Sequence, residues 1–186
     1  MLWKFESKTP LSGLSLVVGI AITNALRAYG VVGIQLKWPN DIMYLHRKLG
    51  GILIETSGDG ISQRVIIGIG LNVFMADAET ATAQIDQPWI DIQTIIDKSP
   101  SRNKLAALII QELFSILHRF QQEGFTSFME EWQSLDMLYG KELIVYENAS
   151  EIVGRSMGVD VQGRLLIQND KQYCFSNGEV SIRLHK

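Results

Sequence analysis

The chain has 186 residues, of which 46% are hydrophobic and 20% charged, and its formal net charge is −3. This hydrophobic content supports a buried core and excludes a disordered chain. The acidic balance argues against a nucleic-acid-binding surface, which is usually basic. The single cysteine, Cys174, excludes an internal disulfide and a multi-cysteine metal site, and it fits a reducing, cytoplasmic setting.

The first part of the chain predicts one helix among several strands. A helix is expected from residue 13 to about Tyr29, with Ser12 as its N-cap and Gly30 just after its end. Its apolar stretch is shorter than the ~20 residues that span a bilayer, so no membrane partner is expected. The predicted strands are Met1–Phe5, Ile34–Lys37, Ile42–Tyr44, Lys48–Thr56 and Arg64–Ile69.

The second part of the chain predicts a long helix and then a small β domain. Residues 70–89 have mixed polarity and predict a loop that could cover a site. Ser101 is expected to cap a helix from Arg102 to about Gln122, and a shorter helix follows from Phe125 to about Ser134. After Leu138, short alternating runs indicate a small barrel or sandwich. These strands are Glu142–Tyr146, Ile152–Val159, Arg164–Gln168, Gln172–Phe175 and Val180–Leu184.

Two lysines in the stretch Lys37–Glu55 could carry chemistry. Lys48 opens an apolar strand beside Gly50 and Gly51, and glycines permit a ligand to approach the backbone. An ammonium group in a dry site stabilises negative charge, although Lys48 could equally be a strand-edge lysine that reaches water. Lys37 has the same two interpretations and could also simply pair with Asp41 or Glu55.

The Asn-Asp pair and the glycine segments also have alternative roles. Asn40 and Asp41 could bind ribose hydroxyls, adenine or Mg²⁺, or they could serve only the turn after Pro39. The glycines at 50–51 and 68–70 could admit a ligand or form bulges and tight packing. Neither glycine segment is a dinucleotide fingerprint, because the third glycine and the following helix are missing.

Three segments in order resemble the catalytic domain of biotin protein ligases. They are Lys37–Asp41 (KWPND), Lys48–Leu53 (KLGGIL) and Gly68–Asn72 (GIGLN), and the likeness extends from about Met1 to the C-terminal strands. The resemblance implies an α+β fold with a mixed, mainly antiparallel sheet backed by helices, like class II synthetases, followed by a small SH3-like β barrel. We therefore predict a catalytic domain at residues 1–138, lacking its N-terminal part, and a C-terminal domain at residues 139–186.

The resemblance also implies roles for individual residues. The matching lysine in these ligases contacts the biotin carboxylate and the phosphate, and catalytic roles fall on Lys48, Lys37 and Asp41. The biotin-binding set is Lys48, Gly50, Gly51, Ile52, Leu53, Gly68, Ile69 and Gly70. The ATP-binding set is Asn40, Asp41, Asn72, Trp89 and Arg183. Trp89 could instead be a core anchor, and Arg183 could pair with Glu179. No metal-ligating residue is predicted.

The implied reaction has two steps. Biotin and ATP, with Mg²⁺, form biotinyl-5′-AMP, and a lysine of a biotin carboxyl carrier protein then takes the biotin. Ligases of this family also carry an upstream loop rich in glycine and arginine, which this sequence lacks. We therefore expect the chain alone to be weak or inactive.

Two alternative functions stay open at the sequence level. The chain could be a non-catalytic biotin-binding or dimerisation module that forms a homodimer through a sheet edge. It could also be a lipoate–protein ligase, which shares the fold and the chemistry.

Overall fold

The computed structural model describes residues 1–6, 8–58, 62–75, 87–147, 150–176 and 180–185, and every structural statement below concerns those residues. Glu179 and parts of two predicted segments, the turn near residues 57–60 and the loop at residues 70–89, lie outside them.

The first sheet has five strands in the order β1-β5-β4-β3-β2, and all its neighbouring strands are antiparallel. Its strands are β1 Leu2–Glu6, β2 Ile34–Lys37, β3 Asp41–Tyr44, β4 Arg47–Gly58 and β5 Ser62–Leu71. The sequence predicted a mixed sheet with some parallel pairing. The parallel pairing among the described residues consists of two isolated bridges, Leu36 with Asp136 and Lys48 with Trp89.

The helices cover one face of this sheet. They are α1 Leu14–Tyr29, α2 Ile92–Ile96, α3 Arg102–Glu123, a 3-10 turn Phe125–Phe128, and α4 Met129–Leu135. The cap predicted for α3 is confirmed, because the Ser101 side chain accepts a hydrogen bond from the Lys104 N–H. The short helix α2 was missed, and its five residues are too few to show a helical period.

Helix α1 confirms one predicted end and corrects the other. Gly30 ends the helix in a left-handed conformation with φ 105°, which glycine adopts without steric cost. At the start, the N-cap is Gly13 and not Ser12, and no side chain caps the helix. A side chain at position 13 would collide with the Phe125 ring, so close packing determines how this helix begins.

The second sheet also has five antiparallel strands, in the order β10-β6-β7-β8-β9. Its strands are β6 Glu142–Glu147, β7 Ser150–Val159, β8 Leu165–Gln168, β9 Gln172–Phe175 and β10 Val180–Leu184. The predicted small β domain is therefore confirmed, whereas closure into a barrel stays a prediction. Cys174, whose neighbours Tyr173 and Phe175 are more buried than it is, is exposed on β9.

The two sheets are joined by a packed junction. The indole N–H of buried Trp38 donates a hydrogen bond of 2.9 Å to the carbonyl oxygen of Gly163, in the turn between β7 and β8. A Cβ atom on Gly163 would lie 2.8 Å from the Cα of Gly13, so only glycine lets this turn reach the start of α1. The N–H of Met137 donates to the Leu36 carbonyl oxygen at 3.0 Å, which ties the end of α4 to the first sheet.

Asp136 is a buried carboxyl at this junction. Its side chain is 8% exposed, and one oxygen accepts the Leu138 N–H at 2.9 Å. The other oxygen has no hydrogen-bond partner among the described residues. Burial raises the pKa of Asp136 to about 6, against the opposing effect of the backbone hydrogen bonds from Leu138 and Tyr139.

This burial makes the stability depend on pH. Because the folded pKa of Asp136 is raised from 3.8 to about 6, its stabilising contribution is complete below pH 3.8 and is lost as the pH rises through about 6. That rise corresponds to roughly 3 kcal/mol. We expect the unfolding free energy of Asp136→Asn, measured in urea, to fall less than that of the unsubstituted chain between pH 4 and pH 7. Exposed Asp170→Asn is the control, and equal pH dependence in both variants would contradict the assignment.

Candidate functional site

A row of residues crosses the face of the first sheet that the helices leave open. The strand registers pair Lys37 with Asp41, Asp41 with Gly51, and Gly51 with Gly70. Paired residues in antiparallel strands lie on the same face. The row therefore brings residues from four strands, and from all three recognised sequence segments, to one surface.

Lys48 joins this row through a bulge. The pairing of β3 with β4 shifts between Ile42 and Met43, so that Leu49 is fully buried in the core and Lys48 lies with Asp41. The Lys48 Nζ lies 2.5 Å from Asp41 Oδ1, and the two side chains are 29% and 16% exposed. The sequence allowed two interpretations of Lys48, as a functional residue or as a strand-edge lysine that reaches water. In the structure, a partly buried ion pair holds its ammonium group over the sheet.

A short segment runs beside Lys48 and adds an aromatic wall. The Lys48 N–H donates to the Pro88 carbonyl oxygen at 2.8 Å, and the Ile90 N–H donates to the Lys48 carbonyl oxygen at 3.0 Å. The Asn72 side-chain amide donates to the carbonyl oxygens of Lys48 and Ile90, at 3.2 and 3.1 Å. These bonds hold half-buried Trp89 next to Lys48.

These elements enclose a cleft of about 360 Å³. Six of its lining residues were singled out by the sequence: Lys48, Gly50, Gly51, Gly70, Asn72 and Trp89. The other two, Leu71 and Gln87, were not. Leu71 directly follows the selected glycines, whereas nothing in the local sequence singles out Gln87. A cleft with an ammonium group, an aromatic ring and exposed backbone can accept a flat ligand that carries negative charge.

Gly50 and Gly51, which are neighbours in the cleft, have different structural roles. A Cβ on Gly50 would collide with the Gly70 carbonyl oxygen and lie 2.8 Å from the Leu71 side chain, so Gly50 permits close strand packing. A Cβ on Gly51 would meet Lys48 and Asp41 at 3.6 and 3.7 Å, which is ordinary contact. A side-chain methyl at position 51 would therefore fit beside the ion pair without a clash.

The structure separates several selected residues from this cleft. Ile52 is buried toward α1, and Ile69 lines a different groove, on the helix side of the sheet. Gly68 and Leu53 are paired on the open face, where Leu53 is 61% exposed. The Asn40 side chain donates to the Ile52 carbonyl oxygen at 2.7 Å, which is the local structural role that its turn position also allowed.

Lys37 and Arg183 lie in a second cleft of about 230 Å³, between the first sheet and β10. His46, which the sequence did not assign, lies there too, in the turn between β3 and β4. Gln87 lines both clefts, so they adjoin. Within the described ranges, no group of three or more His, Cys, Asp or Glu side chains is arranged to hold a metal ion.

Comparison with known proteins shows which class of protein the chain resembles. Residues 1–72, which contain the whole Lys37–Gly70 row, match the Biotin/lipoate A/B protein ligase family. This part of the chain is therefore similar to that ligase family. Among the helices of the described part of the chain, none has the length and apolarity that crossing a lipid bilayer requires.

Individual relatives extend the likeness to nearly the whole chain. The bifunctional ligase/repressor BirA of Escherichia coli (strain K12) is 37% identical over 186 residues, covering 98% of this chain and 57% of that protein. The biotin--[acetyl-CoA-carboxylase] ligase of Mycobacterium tuberculosis is 27% identical and covers 90% of this chain and 61% of that protein. The chain thus spans under two thirds of the length of these relatives.

A solved structure supports the same fold. Biotin protein ligase from Aquifex aeolicus, in complex with biotin and ATP, superposes with a TM-score of 0.82 at 25% identity. The match covers 99% of this chain and 78% of that chain. The expected α+β architecture, with a helix-backed sheet followed by a small β domain, is therefore confirmed.

The glycine pair gives a direct test of the cleft geometry. We expect Gly50→Ala to lower the unfolding free energy by about 1–3 kcal/mol, because the added methyl meets backbone that cannot move away. Gly51→Ala should change it by no more than about 0.5 kcal/mol, since its methyl makes only ordinary van der Waals contacts with Lys48 and Asp41. Urea denaturation of both variants measures the difference, and equal losses would show that the cleft is shaped otherwise.

Proposed function

We propose that the chain is the biotin- and ATP-binding part of a biotin–protein ligase. The observation that carries this proposal is the Lys48–Asp41 ion pair, held beside the glycines of the open cleft. Adenylation joins a carboxylate to a phosphate, so the two anions need a cation placed beforehand. Lys48 is the side chain that supplies this cation at the cleft.

Each side of the cleft then has a role in the first step. The biotin carboxylate and the α-phosphate of ATP meet at Lys48, while Asp41 keeps the ammonium group oriented when the cleft has no ligand. Trp89 and Asn72 lie on the nucleotide side, where an aromatic ring can stack on adenine. Gly51 and Gly70 let the biotin side approach the backbone.

Mg²⁺ is proposed as part of the nucleotide substrate. Among the described residues, Asp41 is the carboxylate beside the cleft, and it pairs with Lys48. Mg²⁺ is commonly held by one or two carboxylates together with substrate phosphates. Asp41 together with the phosphates of ATP fits that arrangement.

The acceptor and the oligomer belong to the proposal as well. We propose a biotin carboxyl carrier protein as the acceptor, a domain boundary near residues 138–140, and a cytoplasmic location. Strand β1 lies at the edge of the first sheet, which supports a homodimer formed through that edge.

The open face supports the expectation that the chain alone is a weak catalyst. Leu53 and Ile66, on the glycine side of the sheet, are 61% and 51% exposed. An acyl-adenylate is hydrolysed by water, so an efficient site has to be covered. The described residues do not cover this face, and we expect little biotinyl-5′-AMP to accumulate.

The main test removes the positive charge of the Lys48 side chain. We expect Lys48→Met to weaken binding of a non-hydrolysable biotinyl-5′-AMP analogue at least tenfold, because a charge-assisted hydrogen bond is lost. Isothermal titration calorimetry measures this affinity. Lys98→Met, at an exposed lysine outside the cleft, is the matched control. Unchanged affinity in Lys48→Met would remove the basis of the proposal.

Biotin-dependent ATP–pyrophosphate exchange separates the alternatives. Tight biotin binding without exchange would favour a non-catalytic binding or dimerisation module. Competition in which lipoate displaces biotin would favour a lipoate–protein ligase. Robust exchange by this chain alone would overturn the expectation of weak activity and leave the ligase assignment intact.

A further inference from the structure

A buried carboxylate, Asp91, lies two residues after Trp89 of the Lys48 cleft. Its side chain is 4% exposed, and aspartate is seldom so deeply buried unless its charge is satisfied. The Oδ1 atom accepts the Thr94 N–H at 2.8 Å, and the Oδ2 atom accepts the Met75 N–H at 2.9 Å. Among the described residues, no lysine, arginine or histidine forms an ion pair with it. Backbone N–H groups of two different segments therefore hold its charge.

These hydrogen bonds keep the carboxylate of Asp91 ionised. Burial by itself raises the pKa of Asp91, but hydrogen bonds from the Thr94 side chain and from the N–H groups of Thr94 and Met75 lower it by more. The pKa is therefore below its ordinary value of 3.8, and the group is negatively charged at neutral pH. Hydrogen bonds to a charged acceptor are stronger than bonds between neutral groups, so Asp91 links its two partners firmly.

The carboxylate joins two segments that already run side by side. Residues 72–75 lie at and after the end of β5, and residues 91–94 contain the start of α2. The N–H groups of Ile92 and Gln93 donate to backbone carbonyl oxygens of the first segment, at 2.9 and 3.2 Å. The hydrogen bond from Met75 to the carboxylate adds a further link. The start of α2 therefore cannot move away from the end of β5 without breaking it.

The chain just before this carboxylate forms one wall of the cleft. Trp89 and Gln87 line the cleft, and they precede Asp91 by two and four residues. Apart from the isolated bridge between Trp89 and Lys48, residues 87–91 belong to no helix or strand. A site on such a stretch depends on supporting hydrogen bonds for its geometry. Backbone bonds with Lys48 fix the middle of the stretch, and Asp91 fixes its end.

We propose that Asp91 is a positioning residue of this cleft and that its bond to Met75 holds the Trp89 ring in place. The inference rests on the proposed function, which assigns the ring to the nucleotide side. An N-cap of α2 needs only one side-chain oxygen, as Ser101 illustrates at the start of α3 with its single hydrogen bond to the Lys104 N–H. The second oxygen of Asp91, which accepts from Met75, is the part that helix capping does not explain.

Asp91→Asn separates capping from positioning. The remaining side-chain oxygen can still accept the Thr94 N–H, whereas the amide NH₂ cannot accept the Met75 N–H. We expect this variant to bind the non-hydrolysable biotinyl-5′-AMP analogue roughly tenfold more weakly in isothermal titration calorimetry, the order expected when stacking of a base on an aromatic ring is lost. Asp91→Ser, which also keeps one capping oxygen and loses the other, should show the same loss.

A control variant and a second measurement exclude a general loss of stability. Ser101→Ala removes the cap of α3, and Ser101 lines neither cleft, so the affinity should not change. Iodide quenching of fluorescence reports the exposure of Trp89 when the signal of the matching Trp89→Phe variant is subtracted. We expect this quenching to increase in Asp91→Asn and to stay the same in Ser101→Ala, because only the first change releases the ring.

Comparison with Lys48→Met separates this inference from the proposed function. If Lys48→Met weakens binding of the analogue and Asp91→Asn does not, the inference is overturned while the proposed function stands. If Asp91→Asn exposes Trp89 and neither variant weakens binding, the positioning role holds and the proposed function fails. An equal loss of affinity in Ser101→Ala would assign the effect to overall stability and would also overturn the inference.

Discussion

The ion pair between Lys48 and Asp41 is the interaction on which the site depends. It forms because a bulge between β3 and β4 turns Leu49 into the core and leaves Lys48 on the open face, 2.5 Å from its partner. Without the bulge, the alternation of a regular strand would place Lys48 on the opposite face of the sheet. A single irregularity in one strand pair therefore decides whether a cation faces the cleft.

The two faces of the first sheet have separate tasks. The helix face buries aliphatic residues such as Leu36, Ile42 and Ile52 beneath α1, and this packing holds the strands in register. The open face carries Gly51, Gly68, Gly70 and the polar row. Gly50 shows how closely the tasks are linked, because its missing side chain permits the strand packing that positions Gly51 beside the ion pair. The packing of the helix face therefore determines the geometry of the cleft on the open face.

The second sheet contributes to the site and is not only an appended domain. The hydrogen bond from Trp38 to Gly163 and the contact of Gly163 with Gly13 fix it against the first sheet. This docking brings Arg183 into the cleft that contains Lys37 and His46. A cleft assembled from both sheets keeps its shape only when the junction is intact, so the geometry of this cleft depends on the stability of the junction.

The local sequence determined most of the fold, because hydrophobic periodicity and turn residues act over a few positions. It placed α1, α3 and nearly all the strands, and its motifs single out Lys48, Asp41, Gly51 and Gly70. The tertiary structure alone decided which face each residue occupies and which residues meet. It assigned Asn40 to a backbone contact, separated Ile52 and Ile69 from the cleft, and added Gln87 and His46. Those outcomes depend on strand register, on the bulge and on the docking of two sheets, which are long-range properties that no short segment encodes.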